Sequence, residues 1–163
     1  MKTRKEFKVG DKVVYPMHGA GIIEAIEEKE VLGRSERYYV MRMPIGDLRV
    51  MIPMSSVEEL GLREVISKEE VRKVYQVLQG ETTSMAQNWN RRYRANMEKI
   101  KSGDIFEVAE VVRNLTVRER DKGLSTGERK MLENARQILI SELVLALDLP
   151  EEQVEQQVSE LLS

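Results

Sequence analysis

The sequence predicts an α+β protein in which a small, strongly bent β-barrel or curled sheet is followed by an all-α bundle of about five helices. Three observations lead there. The chain changes character near residue 64. Before that point, short alternating apolar runs are separated by glycine-rich turn signals. After it, Ser or Asp recurs three residues ahead of Glu or Gln, each time heading an apolar run with helical spacing. The expected division is therefore 1–63 and 64–163.

In the first part, FKVGDKVVY, GIIEAIEEKEV, RYYVMRM and RVMIP read as strands, punctuated by Gly10-Asp11, Gly19 to Gly21, Gly33-Arg34-Ser35 and Pro44 to Asp47. Alternation is clearest in Arg49, Val50, Met51 and Ile52, where successive side chains face opposite sides. Strands this short and this closely spaced bend into a barrel or curl. The HGAG stretch at 18 to 21 is a turn between strands, because no Gly-Lys-Ser/Thr follows to make a phosphate cradle.

In the second part, capping-box spacings pair Ser67 with Glu70, Ser84 with Gln87, Asp104 with Glu107, Ser125 with Glu128 and Asp148 with Glu151. Each implies a helix start, and Gly80, Gly103 and Gly123 stand where helices end. Apolar residues follow the 3.6 period in Val71, Val74, Leu78; in Val108, Val111, Val112, Leu115; in Met131, Ala135, Ile138, Leu139; and in Val154, Val158, Leu161.

Composition excludes much chemistry. Hydrophobic content of 41% with 33% charged residues describes a globular chain, and no apolar run reaches a bilayer span. The basic start MKTRKEFKVGDK lacks the apolar core of a secretory signal, so a cytoplasmic protein is expected. Cysteine is absent and His18 is the only histidine, which removes disulfides, thiolate metal sites and most nucleophile–base pairs. No enzyme, cofactor or metal is expected. The net charge of −2 hides an uneven distribution: residues 89–101 carry a local +4, whereas 142–163 carry −6. A basic contact site with an acidic end held away from it fits nucleic acid.

Trp89, the only tryptophan, sits in QNWNRRYRAN. Its spacing with Tyr93, Met97 and Ile100 makes one apolar stripe, which assigns it to the core. Asn88, however, is a good N-cap and would place Trp89 in the first turn, at the rim of the helix. There, an indole beside Arg91, Arg92 and Arg94 could part a base step while the arginines hold phosphates. Arg118, Arg120 and Lys122 close a helix, as the helix dipole favours. Arg129 and Lys130 open the next one, where positive charge is mildly unfavourable and phosphate contact is the functional alternative.

Three segments taken together, FKVGDKVVYPMHGAGIIEAI at 7–26, NWNRRYRAN at 88–96 and GLSTGERKMLENARQIL at 123–139, resemble the CarD family of bacterial transcription regulators, also called CdnL-like. The resemblance implies a Tudor-like N-terminal barrel that binds the RNA polymerase β subunit. It also implies a helical domain that meets promoter DNA at the upstream edge of the melted region, stabilising the open complex. Carried over by position, it makes Trp89 a minor-groove wedge and Arg91, Arg92, Arg94, Arg129 and Lys130 DNA contacts. Lys29, Val31 and the strand Arg49, Val50, Met51 and Ile52 correspond to the polymerase-binding edge. One departure stands out: some members carry arginine where this chain has Met51, and here the basic residue is Arg49. A monomer acting in the cytoplasm at polymerase-bound promoters is expected. The alternative is an adaptor whose helical domain recruits another protein while Trp89 completes its core.

Overall fold

The computed structural model describes residues 6–163; the basic start before them lies outside the described residues. Five antiparallel strands, β1 (Lys12–Tyr15), β2 (Gly19–Val31), β3 (Arg34–Arg42), β4 (Arg49–Pro53) and β5 (Arg63–Glu64), form a barrel-like, Tudor-like sheet in the order β4-β3-β2-β1-β5. A 3-10 turn (Met54–Ser56) and the short α1 (Val57–Leu60) carry the chain from one edge of this sheet to the other. The helical domain follows as α2 (Lys68–Gln79), α3 (Trp89–Lys101), α4 (Ile105–Asp121), α5 (Thr126–Leu147) and α6 (Glu151–Leu162).

The sheet closes around Phe7, Val13, Ile23, Tyr39, Met41, Ile52, Val57 and Leu62, all buried. Tyr39 is wholly enclosed, and its hydroxyl accepts the Phe7 amide at 2.8 Å. The ladder between β2 and β3 shifts register between Ile23 and Ala25, a bulge that bends β2 over the core. Gly21 is required there, since a Cβ would lie 2.7 Å from the Arg42 carbonyl oxygen. Beyond Tyr38, which pairs with Pro53, the β2–β3 ladder continues without β4 and projects as an arm ending at Leu32 and Gly33. Both turn residues have positive φ, the geometry of a two-residue hairpin turn.

In the bundle, α4 is the central helix, burying Val108, Ala109, Val111, Val112 and Leu115 along with the polar Arg113 and Asn114. The expected capping boxes form at Ser67–Glu70 and Ser125–Glu128. Three expected boxes do not form. Asp104 caps α4 by accepting from the Phe106 amide alone, and α3 begins at Asn88 rather than Ser84. Asp148 ends α5 in a left-handed conformation, φ 54, and Pro150 precedes α6. At such a helix end, Asp serves the preceding C-terminus, where its short side chain tolerates positive φ.

The two parts meet along the last turns of α5. The Ala20 amide donates to Ser141 Oγ at 2.9 Å, Lys12 Nζ donates to the Leu145 carbonyl at 2.9 Å, and Val14, Ala20 and Leu145 pack together. Beside them, Arg63 of β5 forms a two-pronged pair with Glu142, both bonds 2.7 Å long. A lysine on a helix C-terminal carbonyl also suits the dipole of α5.

Candidate nucleic-acid and polymerase interfaces

Asn88 Oδ1 accepts the Arg91 amide at 3.1 Å, which fixes Trp89 as the first residue of α3. Trp89 is 40% exposed as a residue, so it lies at the rim and not in the core. Three contacts prop it. The indole stacks on Tyr93 with centroids 4.9 Å apart and planes 14° from parallel. Nε1 donates to Ser125 Oγ at 2.8 Å. Beneath the ring is Gly127, where a Cβ would meet the indole at 3.4 Å. Neither Ser125 nor Gly127 stood out in the sequence as a partner of Trp89; the capping box around Ser125 was the one local signal.

The expected apolar stripe is rotated. α3 buries Arg92, Asn96 and Ile100, spaced four apart, while Tyr93 and Met97 are only partly covered. Arg92 must therefore be corrected as an expected DNA contact. It is 4% exposed, its Nε donates to Glu128 Oε2 at 2.7 Å, and its Nη2 donates to Oε1 at 3.2 Å. Its remaining nitrogen binds the carbonyls of Ala86 and Gln87. A guanidinium so fully engaged cannot reach a phosphate without leaving a buried carboxylate alone. Hydrogen bonds from Arg92 hold the Glu128 carboxyl below its ordinary range, more than offsetting the opposing effect of burial.

Arg92, Glu128, Ser125 and Trp89 thus form one connected chain joining the starts of α3 and α5. The arrangement brings two helix N-termini together, each a partial positive charge with unpaired amides. α3 has no acid in its first turn, and the only one in α5, Glu128, is already held by Arg92. Arg91, Arg94 and Lys130 are exposed around this junction. Arg129 is exposed as well, with a long 3.4 Å contact to Glu119. The surface thus joins two helix N-termini, four exposed cationic side chains and a partly exposed aromatic ring.

A second surface lies at the far edge of the sheet. β4 pairs with β3 on one side only and is an edge strand. Arg49 and Met51 face outward; Arg49 makes a 3.0 Å pair with Glu24. Val50 is half-buried, and Ile52 is 1% exposed in the barrel core. The side chain of Ile52, expected at a partner surface, is therefore committed inward, and only its main chain can serve there. Lys29 and Val31 stand on the projecting arm, with Val31 49% and Leu32 99% exposed. The structure thus separates the expected polymerase-facing residues into an edge strand and an arm.

Residues 73–159 match the family described as "CarD, C-terminal domain", and residues 7–66 match "CarD-like/TRCF RID domain". A protein of Bacillus subtilis (strain 168) named "Putative transcription factor YdeB" is 45% identical over 148 residues, covering 91% of this chain and 97% of that protein. The solved structure titled CdnLNt, from Myxococcus xanthus, is 43% identical, with a TM-score of 0.35; the match covers 42% of this chain and 96% of that one.

Proposed function

Since this chain belongs to the CarD family, a family of transcription factors that interact with RNA polymerase, we propose that it is a non-catalytic, monomeric two-surface clamp on promoter DNA. It acts in the cytoplasm on polymerase already engaged at a promoter. The β4 edge adds to a sheet edge of the polymerase β subunit, with main-chain hydrogen bonds giving affinity and Arg49 giving specificity, while Lys29 and Val31 contribute from the arm. The junction of α3 and α5 meets the upstream edge of the melted region, where Trp89 enters the minor groove and Arg91, Arg94, Arg129 and Lys130 hold flanking phosphates.

The observation that carries this reading is the state of Trp89: a residue 40% exposed whose ring is stacked and hydrogen-bonded into one orientation, between two helix N-termini edged by cations. A core tryptophan would be enclosed, and an incidental surface ring would not be held from three sides. Preorganisation lowers the entropic cost of inserting it.

Energetics favour the clamp over free DNA binding. Non-specific duplex binding at physiological salt is weak, with Kd about 10⁻⁴ to 10⁻⁶ M. Docking through the sheet makes the DNA contact intramolecular, at an effective concentration on the order of millimolar. The contacts of α5 with β1, β2 and β5 hold the two surfaces in fixed relation, so the ring is presented at a set place on the DNA. Unstacking a base step costs a few kcal/mol on intact duplex and less where strands have begun to part. The ring therefore binds the open state better, and each 1.4 kcal/mol of that difference shifts the opening equilibrium about tenfold.

The test is a promoter-opening time course with purified polymerase. Trp89→Ala should bind polymerase with unchanged affinity and lose most of the gain in open complex. Equal promoter opening by Trp89→Ala and the wild type would remove the ring from the mechanism.

A further inference from the structure

Between the segment that leads into α3 and the end of α4 lies a groove of about 250 Å³. One wall is the extended segment leading into α3, with Thr82 and Gln87; the other is the end of α4, with Val117, Arg118, Asp121 and Lys122. The walls are locked together at its inner end, where the Thr83 amide donates to Asn114 Oδ1 at 3.2 Å and Asn114 Nδ2 donates to Thr83 Oγ1 at 2.8 Å. The groove is thus a built feature, held open by paired polar groups.

One of its lining residues has an unmet demand. Arg118 Nε is buried and has no hydrogen-bond partner among the described residues. Lys122 ends α4 as its C-cap, and the carbonyls of Arg118 and Glu119 accept the backbone amides of Lys122 and Gly123, with no side-chain bond from Arg118 or Lys122 to them among the described residues. Of the charged residues described as lining the groove, Arg118 and Lys122 are cationic and Asp121 is acidic. A buried guanidinium N–H without an acceptor is costly, and none of the described residues supplies one.

We infer that this groove is a phosphate-binding subsite in which the Arg118 guanidinium and Lys122 Nζ hold one phosphodiester group next to the base step occupied by Trp89. The inference rests on the proposed DNA reading for its location. Gln87 is two residues before Trp89, and Lys122 is three before Ser125, the acceptor of the indole, so groove and ring share both of their supporting segments. A strand whose bases part at the ring carries its next phosphate past Arg118. The dipole at the end of α4 opposes an anion there, which is why the site needs two cations and not one. A free phosphate compound offers the same oxygen acceptors as the DNA backbone.

The experiment uses the full chain with ¹⁵N-labelled arginine, following the Arg118 Nε–H signal while adding a fork-junction DNA, inorganic phosphate or pyrophosphate. In parallel, junction affinity is measured across a salt series for wild type, Arg118→Gln, Arg118→Lys and Arg91→Gln. Arg118→Gln should weaken junction binding on the order of tenfold and reduce the salt slope by about 1, and Arg118→Lys should recover much of the slope. A signal that moves with DNA alone identifies the backbone as the ligand. A signal that moves only with phosphate or pyrophosphate supports the subsite and assigns it to a free anion. A signal that moves with none of them, with the slope of Arg118→Gln unchanged, overturns it. If Arg91→Gln flattens the slope while Arg118→Gln does not, and the Arg118 signal responds to none of the three additions, the groove fails and the α3–α5 interface stands. If neither variant changes binding while the Arg118 signal still responds to phosphate, the DNA reading fails and the anion site remains.

Discussion

Arg63 of β5 and Glu142 of α5 form a buried two-pronged ion pair, 6% and 0% exposed, that joins the sheet to the helical bundle. Its remaining valences are filled: Arg63 Nε donates to the Gly103 carbonyl at 2.8 Å, and the Ile66 amide donates to Glu142 at 2.9 Å. Removing one partner strands a desolvated charge. Arg63→Met or Glu142→Leu alone should cost about 3–5 kcal/mol, whereas the double change should cost much less. Urea unfolding of the three variants measures this. A double variant as unstable as the worse single one would mean that the surrounding hydrogen bonds, not the charge pair, hold the two parts together.

The hold on Trp89 predicts two opposite outcomes. Ser125→Ala removes both the cap of α5 and the indole acceptor, and should cost about 0.5–2 kcal/mol. Without that bond the ring should become more accessible to an aqueous quencher, with red-shifted emission. Gly127→Ala should instead gain up to about 1 kcal/mol from helix propensity, because its Cβ would sit at contact distance beneath the ring. Gly127→Leu overfills that space and should tip the indole, reducing promoter opening in a protein that remains folded. Stability, quenching and opening assays on the three variants separate support of the ring from support of the helix.

Acid should weaken the same junction. The Glu128 carboxyl is held low by its hydrogen bonds with Arg92. Burial raises that of Glu110, but hydrogen bonds from Thr83 and Lys99 outweigh it and leave it lowered. A carboxylate whose folded pKa lies below its unfolded value adds stability that is full above the unfolded value and is lost as pH falls through the folded one. The loss should begin at about pH 4.5, the ordinary glutamate value, and deepen below it. Glu128→Gln should be less stable at neutral pH, since it strands the Arg92 charge, yet show a shallower decline in acid. Urea midpoints from pH 7 to about pH 3 test both parts; an equal acid slope in the variant would exclude Glu128 as a source of the decline.

The fold was legible where local chemistry decides it. Strands, turns and the two true capping boxes are short-range features, and Asn88 alone placed Trp89 in a first turn. What periodicity misread was the face of α3. Arg92 and Asn96 occupy the positions that pack inward, because Arg92 finds a carboxylate 36 residues away and Asn96 approaches the Met85 sulfur at 3.7 Å. No spacing rule can anticipate a buried arginine whose partner lies on another helix. The props Ser125 and Gly127 were hidden for the same reason. Asp148 misled differently: aspartate suits both a helix start and a left-handed helix end, and Pro150, two residues on, decided for the latter.

Arg49 offers the cleanest separation of the two surfaces. It lies on an edge strand, 67% exposed, and its one partner among the described residues is Glu24 at 3.0 Å. Exposed pairs contribute about 0–1 kcal/mol, so Arg49→Glu should leave unfolding nearly unchanged while placing like charge beside Glu24 and reversing the sign offered to a partner. Polymerase binding should fall, and promoter opening should fall with it, but only at protein concentrations below the weakened affinity. Adding more of the variant should restore opening, because Trp89 and the basic junction are intact. Trp89→Ala should not be restored in this way, since its loss lies after docking. Opening measured against concentration for both variants checks the division of labour: if excess Arg49→Glu protein rescues nothing, the edge strand does more than dock, and the two surfaces act as one.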